Sequence, residues 1–206
     1  MPSNTLAGVV YIAPCPYIGQ IMQEIGSKFI LDLLITLTTD STADTVTTGL
    51  GTFSDSCFTD ANTIPWSIRA FWRGMASFQK QHHMLFSATR PQDPSKLFEL
   101  GANGLPVLLL SGTSDKLVMA PAIKSAVQRL FKNSEIHLLP GAGHTPHYEN
   151  KEVVMSYISS FVRRHTDKVR HMSFIYQYII LTIRISQYLL TALLQPTKGK
   201  RGRLLA

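Results

Sequence analysis

The chain has 206 residues and is 45% hydrophobic, 16% charged and 9% aromatic, which suits one globular domain with added segments better than two full domains. The formal net charge is +7, but nine of the twenty Lys/Arg lie from Arg163 onward against one acid, Asp167, while the first 162 residues hold eleven bases and twelve acids. The basic character therefore belongs to the tail, and the body offers no electrostatic case for binding nucleic acid.

Cys15 and Cys57 make no disulfide framework, and no CxxC or Cys/His spacing suggests a structural zinc. Both read as buried or half-buried thiols, and no cofactor or metal is implied. The start, "MPSNTLAG", lacks a basic region followed by an apolar stretch, so no secretory signal is visible and a cytoplasmic setting is expected.

In chain order, Leu6 to Ile12, "LAGVVYI", is a short continuous apolar run ended by "APCPY". It predicts a buried strand of a parallel sheet. From Gly19 to Leu37 the apolar residues Ile21, Met22, Ile25, Phe29, Ile30, Leu33, Leu34 and Leu37 recur at three and four, predicting a helix that Gly26 breaks in two. Thr36 to Asp60 is dense in Thr, Ser, Asp and Gly and is expected to be a loop or irregular excursion. Ile68, Phe71, Trp72, Met75 and Phe78 restore helical spacing, and "PQDPSKLFELGANG" reads as a short proline-bounded helix ended by glycines. This aromatic load fits a lid over an apolar cavity as well as it fits ordinary helical core.

The second half is more regular. Pro106 to Ser111 and Ile136 to Leu139 read as strands. Ala122, Ile123, Ala126, Val127, Leu130 and Phe131 make one helix stripe, and Val153, Val154, Tyr157, Ile158, Phe161 and Val162 another. Strand and helix alternating with short joins predicts βαβ units, right-handed crossovers and a parallel sheet covered by helices. Beyond it, Met172 to Ile183 is mostly apolar, Arg184 interrupts, and "ISQYLLTALL" runs to Leu194 between basic flanks. An arginine near the centre of a span costs about 2.5–3.5 kcal/mol on insertion scales. An interfacial helix, or one packing on this protein or another, is therefore favoured over a crossing. A segment foreign to the domain is a third reading.

Asp115 and His144 each follow a strand, within "VLLLSGTSDKLV" and "LLPGAGHTPHYEN", where open α/β sheets place their functional groups. Their separation of one helix plus one strand brings neighbouring strand tips together. The carboxylate can then fix the imidazole tautomer while the other ring nitrogen accepts a proton from a nucleophile. Taken singly, Asp115 reads rather as a turn or cap aspartate and His144 as a satisfied loop histidine; their joint placement on consecutive strand tips favours the pair. His147 and Glu149 are expected to orient the loop or begin the last helix, His82 and His83 to be solvated, and Lys116 to be exposed.

On these motifs, Leu105 to Val162 resembles the C-terminal part of the α/β-hydrolase superfamily, and Leu6 to Pro16 is similar to the strand that follows the nucleophile helix there. The resemblance implies an α/β class: a partial α/β-hydrolase fold, its parallel sheet edge covered by helices, with a helical lid and a C-terminal helical extension. It divides the chain into a core strand (residues 1–16), a lid-like insertion (17–104), the C-terminal hydrolase core (105–164) and a basic amphipathic tail (165–206). It also gives Asp115 the acid role and His144 the base role, in the family order of nucleophile, acid, histidine.

The family's G-x-S-x-G nucleophile turn is not found: "GTFSD" at Gly51 to Asp55 lacks the second glycine, and "SGTSD" belongs to the acid loop. Relative to the family, the chain is expected to begin in the middle, without the first five strands, the nucleophile and the oxyanion hole. The loss of such donors alone costs about 10²–10³ in rate, so a catalytically incomplete hydrolase related to serine esterases is expected. Its parent would cleave small-molecule ester or amide bonds, although halide, epoxide and peptide substrates also occur in the superfamily. The strand at residues 6–12 would leave an apolar sheet edge unpaired, predicting aggregation or a partner that covers it. The alternative is a non-catalytic module for a membrane surface or a partner, anchored by the basic tail.

Overall fold

The computed structural model describes residues 6–39, 42–78 and 80–166. The membrane-surface and partner readings of Met172 to Leu194 fall outside the described residues. Among the described residues, no helix is long and apolar enough to cross a membrane.

Three parallel strands form the sheet: β1 (Val9–Ile12), β2 (Val107–Gly112) and β3 (Ser134–Leu139), with β2 in the centre. Every residue of β2 is buried, as a strand covered on both faces requires. Successive side chains point to opposite faces. Val107 and Leu109 join one core cluster with Tyr11, Ile123, Ala126, Val127 and Phe131. Leu108 and Leu110 join another with Leu139, Val154, Ile158 and Phe161.

Two helices cover these faces. α7 (Ala120–Leu130) carries a proline in its first turn, where no N–H is needed, and buries Ile123, Ala126 and Val127 completely. α9 (Lys151–Thr166) supplies Val154, Ile158 and Phe161, and a four-residue turn, α8 (Pro146–Glu149), precedes it. The expected α9 stripe needs one correction: Val153 is 45% exposed, because one step of about 100° separates it from Val154 on the helix.

The predicted first helix is two: α1 (Ile21–Ile25) and α2 (Lys28–Thr38). Gly26 is extended at the break, where a Cβ would lie 2.6 Å from the Met22 carbonyl. Ser27 caps α2, its Oγ accepting from Ile30 N at 3.2 Å. Ile21 and Ile25 enter the cluster beneath α7. α6 (Ser95–Ala102), the proline-bounded helix, also packs on α7.

α2, α3 (Ala43–Ser56), α4 (Trp66–Ser77) and α5 (Gln81–Thr89) form a helical layer, with a short 3-10 turn at Ala61–Thr63. α3 corrects the loop expected over Thr36 to Asp60. Thr42 caps it through Thr45 N at 3.2 Å, and Leu50 and Phe53 pack on Leu37 and Ala76 with Val46. Gly49 lets α2 close in, since a Cβ there would stand 2.9 Å from a Leu37 methyl. The α4 stripe also differs from expectation. Ile68, Trp72 and Met75 face inward, at spacings of four and three, whereas Phe71 and Phe78 are 48% and 76% exposed.

Candidate active site

Parallel pairing sets the site. Gly112 and Leu139 end β2 and β3 in register, so the loops after them leave side by side. Main-chain bonds then hold loop to loop: Thr113 N donates to Leu139 O at 3.0 Å, and Ser114 N to Ala142 O at 2.9 Å. Gly141 N donates to Thr113 Oγ1 at 2.9 Å. Gly112 is needed for this approach, because a Cβ would lie 2.1 Å from the Ala142 carbonyl oxygen and 2.3 Å from that of Gly143. Gly141 turns the second loop at φ +73°, a conformation costly for a residue with a Cβ.

These loops bring Asp115 and His144 together. Asp115 Oδ2 lies 2.9 Å from His144 Nδ1; the acid side chain is fully buried and the imidazole is 21% exposed. Asp115 Oδ1 accepts from Leu117 N at 2.8 Å and Val118 N at 3.0 Å. The turn aspartate and the imidazole partner are thus the same carboxylate, one oxygen for each task. A carboxylate only accepts, so His144 Nδ1 carries the hydrogen and Nε2 is the basic nitrogen of the neutral ring.

The remaining groups sort themselves around this pair. Glu149 orients the histidine loop: Oε2 accepts from Gly143 N at 2.7 Å and Oε1 from Thr59 N at 2.7 Å. His147 lies on α8 with Nδ1 buried and unpartnered. Burial and the neighbouring His144 push its pKa down, so it stays neutral near pH 7. Lys116 is exposed, and its Nζ donates to Thr59 O at 3.0 Å. His82 and His83 sit on α5, exposed and stacked edge to face on each other, away from the pair in sequence and element.

Neither thiol is primed for attack. Burial pushes the Cys15 pKa up to about 11, and burial together with the Asp115 carboxylate pushes Cys57 up to about 12, both far above the range of a reactive thiolate. Ser111 Oγ is sealed inside β2 without a partner. No hydroxyl or thiol among the described residues hydrogen-bonds His144 Nε2.

A cavity beside the helical layer is polar. It holds about 360 Å³ and is lined mainly by Thr52, Asp55, Thr59, Asp60, Arg69 and Lys116. Its charges are largely spoken for: Asp55 accepts from Arg69 Nε at 3.2 Å and Nη2 at 2.7 Å, and from Arg73. Burial alone would raise the Asp55 pKa, but the two guanidinium partners overcome it and hold the carboxyl below its ordinary range.

The segment that sequence reasoning missed is Cys57–Thr59. It lies inside the stretch expected to be irregular, and its bonds reach Gly141, Glu149, Thr145 and Lys116. No local pattern encodes such distant partners; the only nearby signal was the Val46, Leu50, Phe53, Cys57 spacing that extends α3 toward them.

No protein-family model and no curated protein matches this chain. Solved structures do. An esterase from Rhodococcus sp. ECU1013 is 20% identical over 77% of this chain and 56% of its own, with a TM-score of 0.62. A protein from Burkholderia cenocepacia described as an aryl esterase is 21% identical over 78% of this chain and 56% of its own, at 0.61. A carboxylesterase from Bacillus subtilis is 16% identical over 75% and 51%, at 0.54. The chain therefore has a partial α/β-hydrolase fold and spans about half the length of the structures it matches.

Proposed function

We propose that this chain carries the acid and base of a serine-type α/β-hydrolase that acts by acyl transfer on ester or amide bonds of small molecules. The observation that carries this reading is the 2.9 Å contact between His144 Nδ1 and Asp115 Oδ2, made between loops that leave adjacent parallel strands. In this assignment Asp115 holds the imidazole and stabilises its cation, while Nε2 takes the proton of a nucleophilic hydroxyl and later returns it to the leaving group.

The nucleophile and the oxyanion donors are assigned to polypeptide beyond the described residues, since the sequence holds no G-x-S-x-G stretch and both thiols are held protonated. That polypeptide would pair with the outer edge of β1, a four-residue strand bonded on one side to β2. Residues 17–104 take the part of a lid over the site in the same reading. The esterase neighbours support small-molecule substrates.

Fluorophosphonate labelling tests the assignment. The 206-residue chain alone is expected to remain unlabelled, and a form joined to a G-x-S-x-G-bearing segment ahead of β1 is expected to label and to lose labelling on His144→Ala. Strong labelling of the chain alone would overturn the missing nucleophile; labelling that survives His144→Ala in the joined form would overturn the base.

A further inference from the structure

Between the helical layer and the acid–base pair lies one short stretch, Cys57–Thr59, bonded to both loops of the site. Thr59 Oγ1 donates to Gly141 O at 2.8 Å, Thr145 Oγ1 donates to Cys57 O at 3.0 Å, and Lys116 Nζ donates to Thr59 O at 3.0 Å. Gly141 and Thr145 flank His144, and Lys116 follows Asp115. Phe58 is 1% exposed and wedged between Trp72 of α4, ring centroids 5.2 Å apart, and Tyr148 of α8, 5.8 Å apart.

One carboxylate ties this stretch to the histidine. Glu149 spans two main-chain donors that no sequence neighbourhood links, Thr59 N and Gly143 N, both at 2.7 Å. Gly143 immediately precedes His144. The fit leaves no slack: a Cβ on Gly143 would lie 2.8 Å from Thr59 N and 3.0 Å from Glu149 Oε2. Hydrogen bonds to an ionised acceptor are roughly twice as strong as neutral ones, so this bridge outweighs the hydroxyl contacts beside it.

We propose that Glu149 is a positioning residue that sets the His144 imidazole against Asp115 according to where the Cys57–Thr59 stretch sits, coupling the helical layer to the proton acceptor. This rests on the reading of His144 as the base and deepens it. A displacement of Cys57–Thr59, as when the layer moves to admit a substrate, draws Gly143 with it through the shared carboxylate and loosens the Nδ1–Oδ2 bond.

The test uses the full chain labelled with ¹⁵N, following the downfield Nδ1 proton of His144 and the exchange of the Thr59 and Gly143 amides. Glu149→Gln keeps the shape but turns one acceptor into a donor facing an N–H. It is expected to broaden or remove the His144 Nδ1 signal and to speed exchange at both amides by roughly tenfold or more. Val127→Ala, which opens a cavity under α7, is expected to lower the melting temperature and leave that signal in place. An unchanged His144 signal in Glu149→Gln, or equal loss in Val127→Ala, would overturn the proposal.

The unmodified protein provides a second measurement: Thr59 and Gly143 amides should exchange through a common opening, and exchange through unrelated openings would also overturn it. Fluorophosphonate labelling is independent of these readouts. A failure there with the coupled signals intact removes the acyl-transfer reading and keeps the positioning role.

Discussion

The sheet with its two covering helices and the helical layer of α2 to α5 are built on different physical terms. In the sheet, two continuous clusters meet at β2, and Val107, Leu108, Leu109 and Leu110 have no exposed surface at all. The layer instead divides its apolar contacts between two small clusters, centred on Phe58 and on Leu50. It leaves Ile35, Trp66, Phe78 and Phe86 each at least 59% exposed. Asp115 and His144 sit on the tightly packed part, so their geometry is inherited from the sheet. The layer meets them through Cys57–Thr59 and through Ser27 at the start of α2, whose Oγ donates to Lys116 O at 2.6 Å, so its position bears on the pair without building it.

Glycine substitutions separate the two regions most sharply. Gly112→Ala forces a Cβ to within 2.1 Å of a neighbouring carbonyl oxygen, and it is expected to cost about 4 kcal/mol or more, read by urea unfolding. Gly74, inside α4, has nothing within 4 Å of an added Cβ; Gly74→Ala should stabilise by about 0.5–1 kcal/mol through helix propensity. A comparable loss at both positions would erase the distinction.

Truncation gives the next largest contrast. Leu110→Ala, at a site with 0% exposure, is expected to cost about 3 kcal/mol. Phe78→Ala, at 76% exposure, should stay within about 0.5 kcal/mol. The same unfolding measurement checks both.

The smallest effect is a titration. Asp55 is held below its ordinary pKa by Arg69 and Arg73 against the opposing effect of burial. Stability from this cluster is complete above the unfolded carboxyl value of about 3.9 and is lost as pH falls through the lower folded value. Both tryptophans of the chain, Trp66 and Trp72, lie on α4, so their fluorescence reports the layer alone. It should change on acidification before the far-ultraviolet signal of the whole chain collapses, and Asp55→Asn should remove that early step. Coincident transitions in the parent protein would show the two regions to be one cooperative unit.

The difference between the regions also decides what could be read from sequence. β2, α7 and α9 were legible because burial imposes a period on apolar residues, and the meeting of Asp115 with His144 followed from strand order. α3 was not, because Thr, Ser, Asp and Gly dominate it and favour caps and turns in isolation; its stability comes from packing on α2 and α4. Phe71 and Phe78 misled for the opposite cause, being apolar residues on a face that packs on little. The Cys57–Thr59 contacts could not be foreseen, since Thr59 meets Glu149 from 90 positions away.

The divided duty of Asp115 has a mechanical consequence. Its Oδ1 is committed to the amides of Leu117 and Val118, and the same stretch is stitched to α1 and α2: Ser27 N donates to Leu117 O at 2.9 Å and Met119 N to Ile25 O at 2.8 Å. Rotating the carboxylate would unfasten a seam running back to the first helices of the chain. Asp115 is therefore the stationary member of the pair, and any reorientation within it falls to the His144 imidazole.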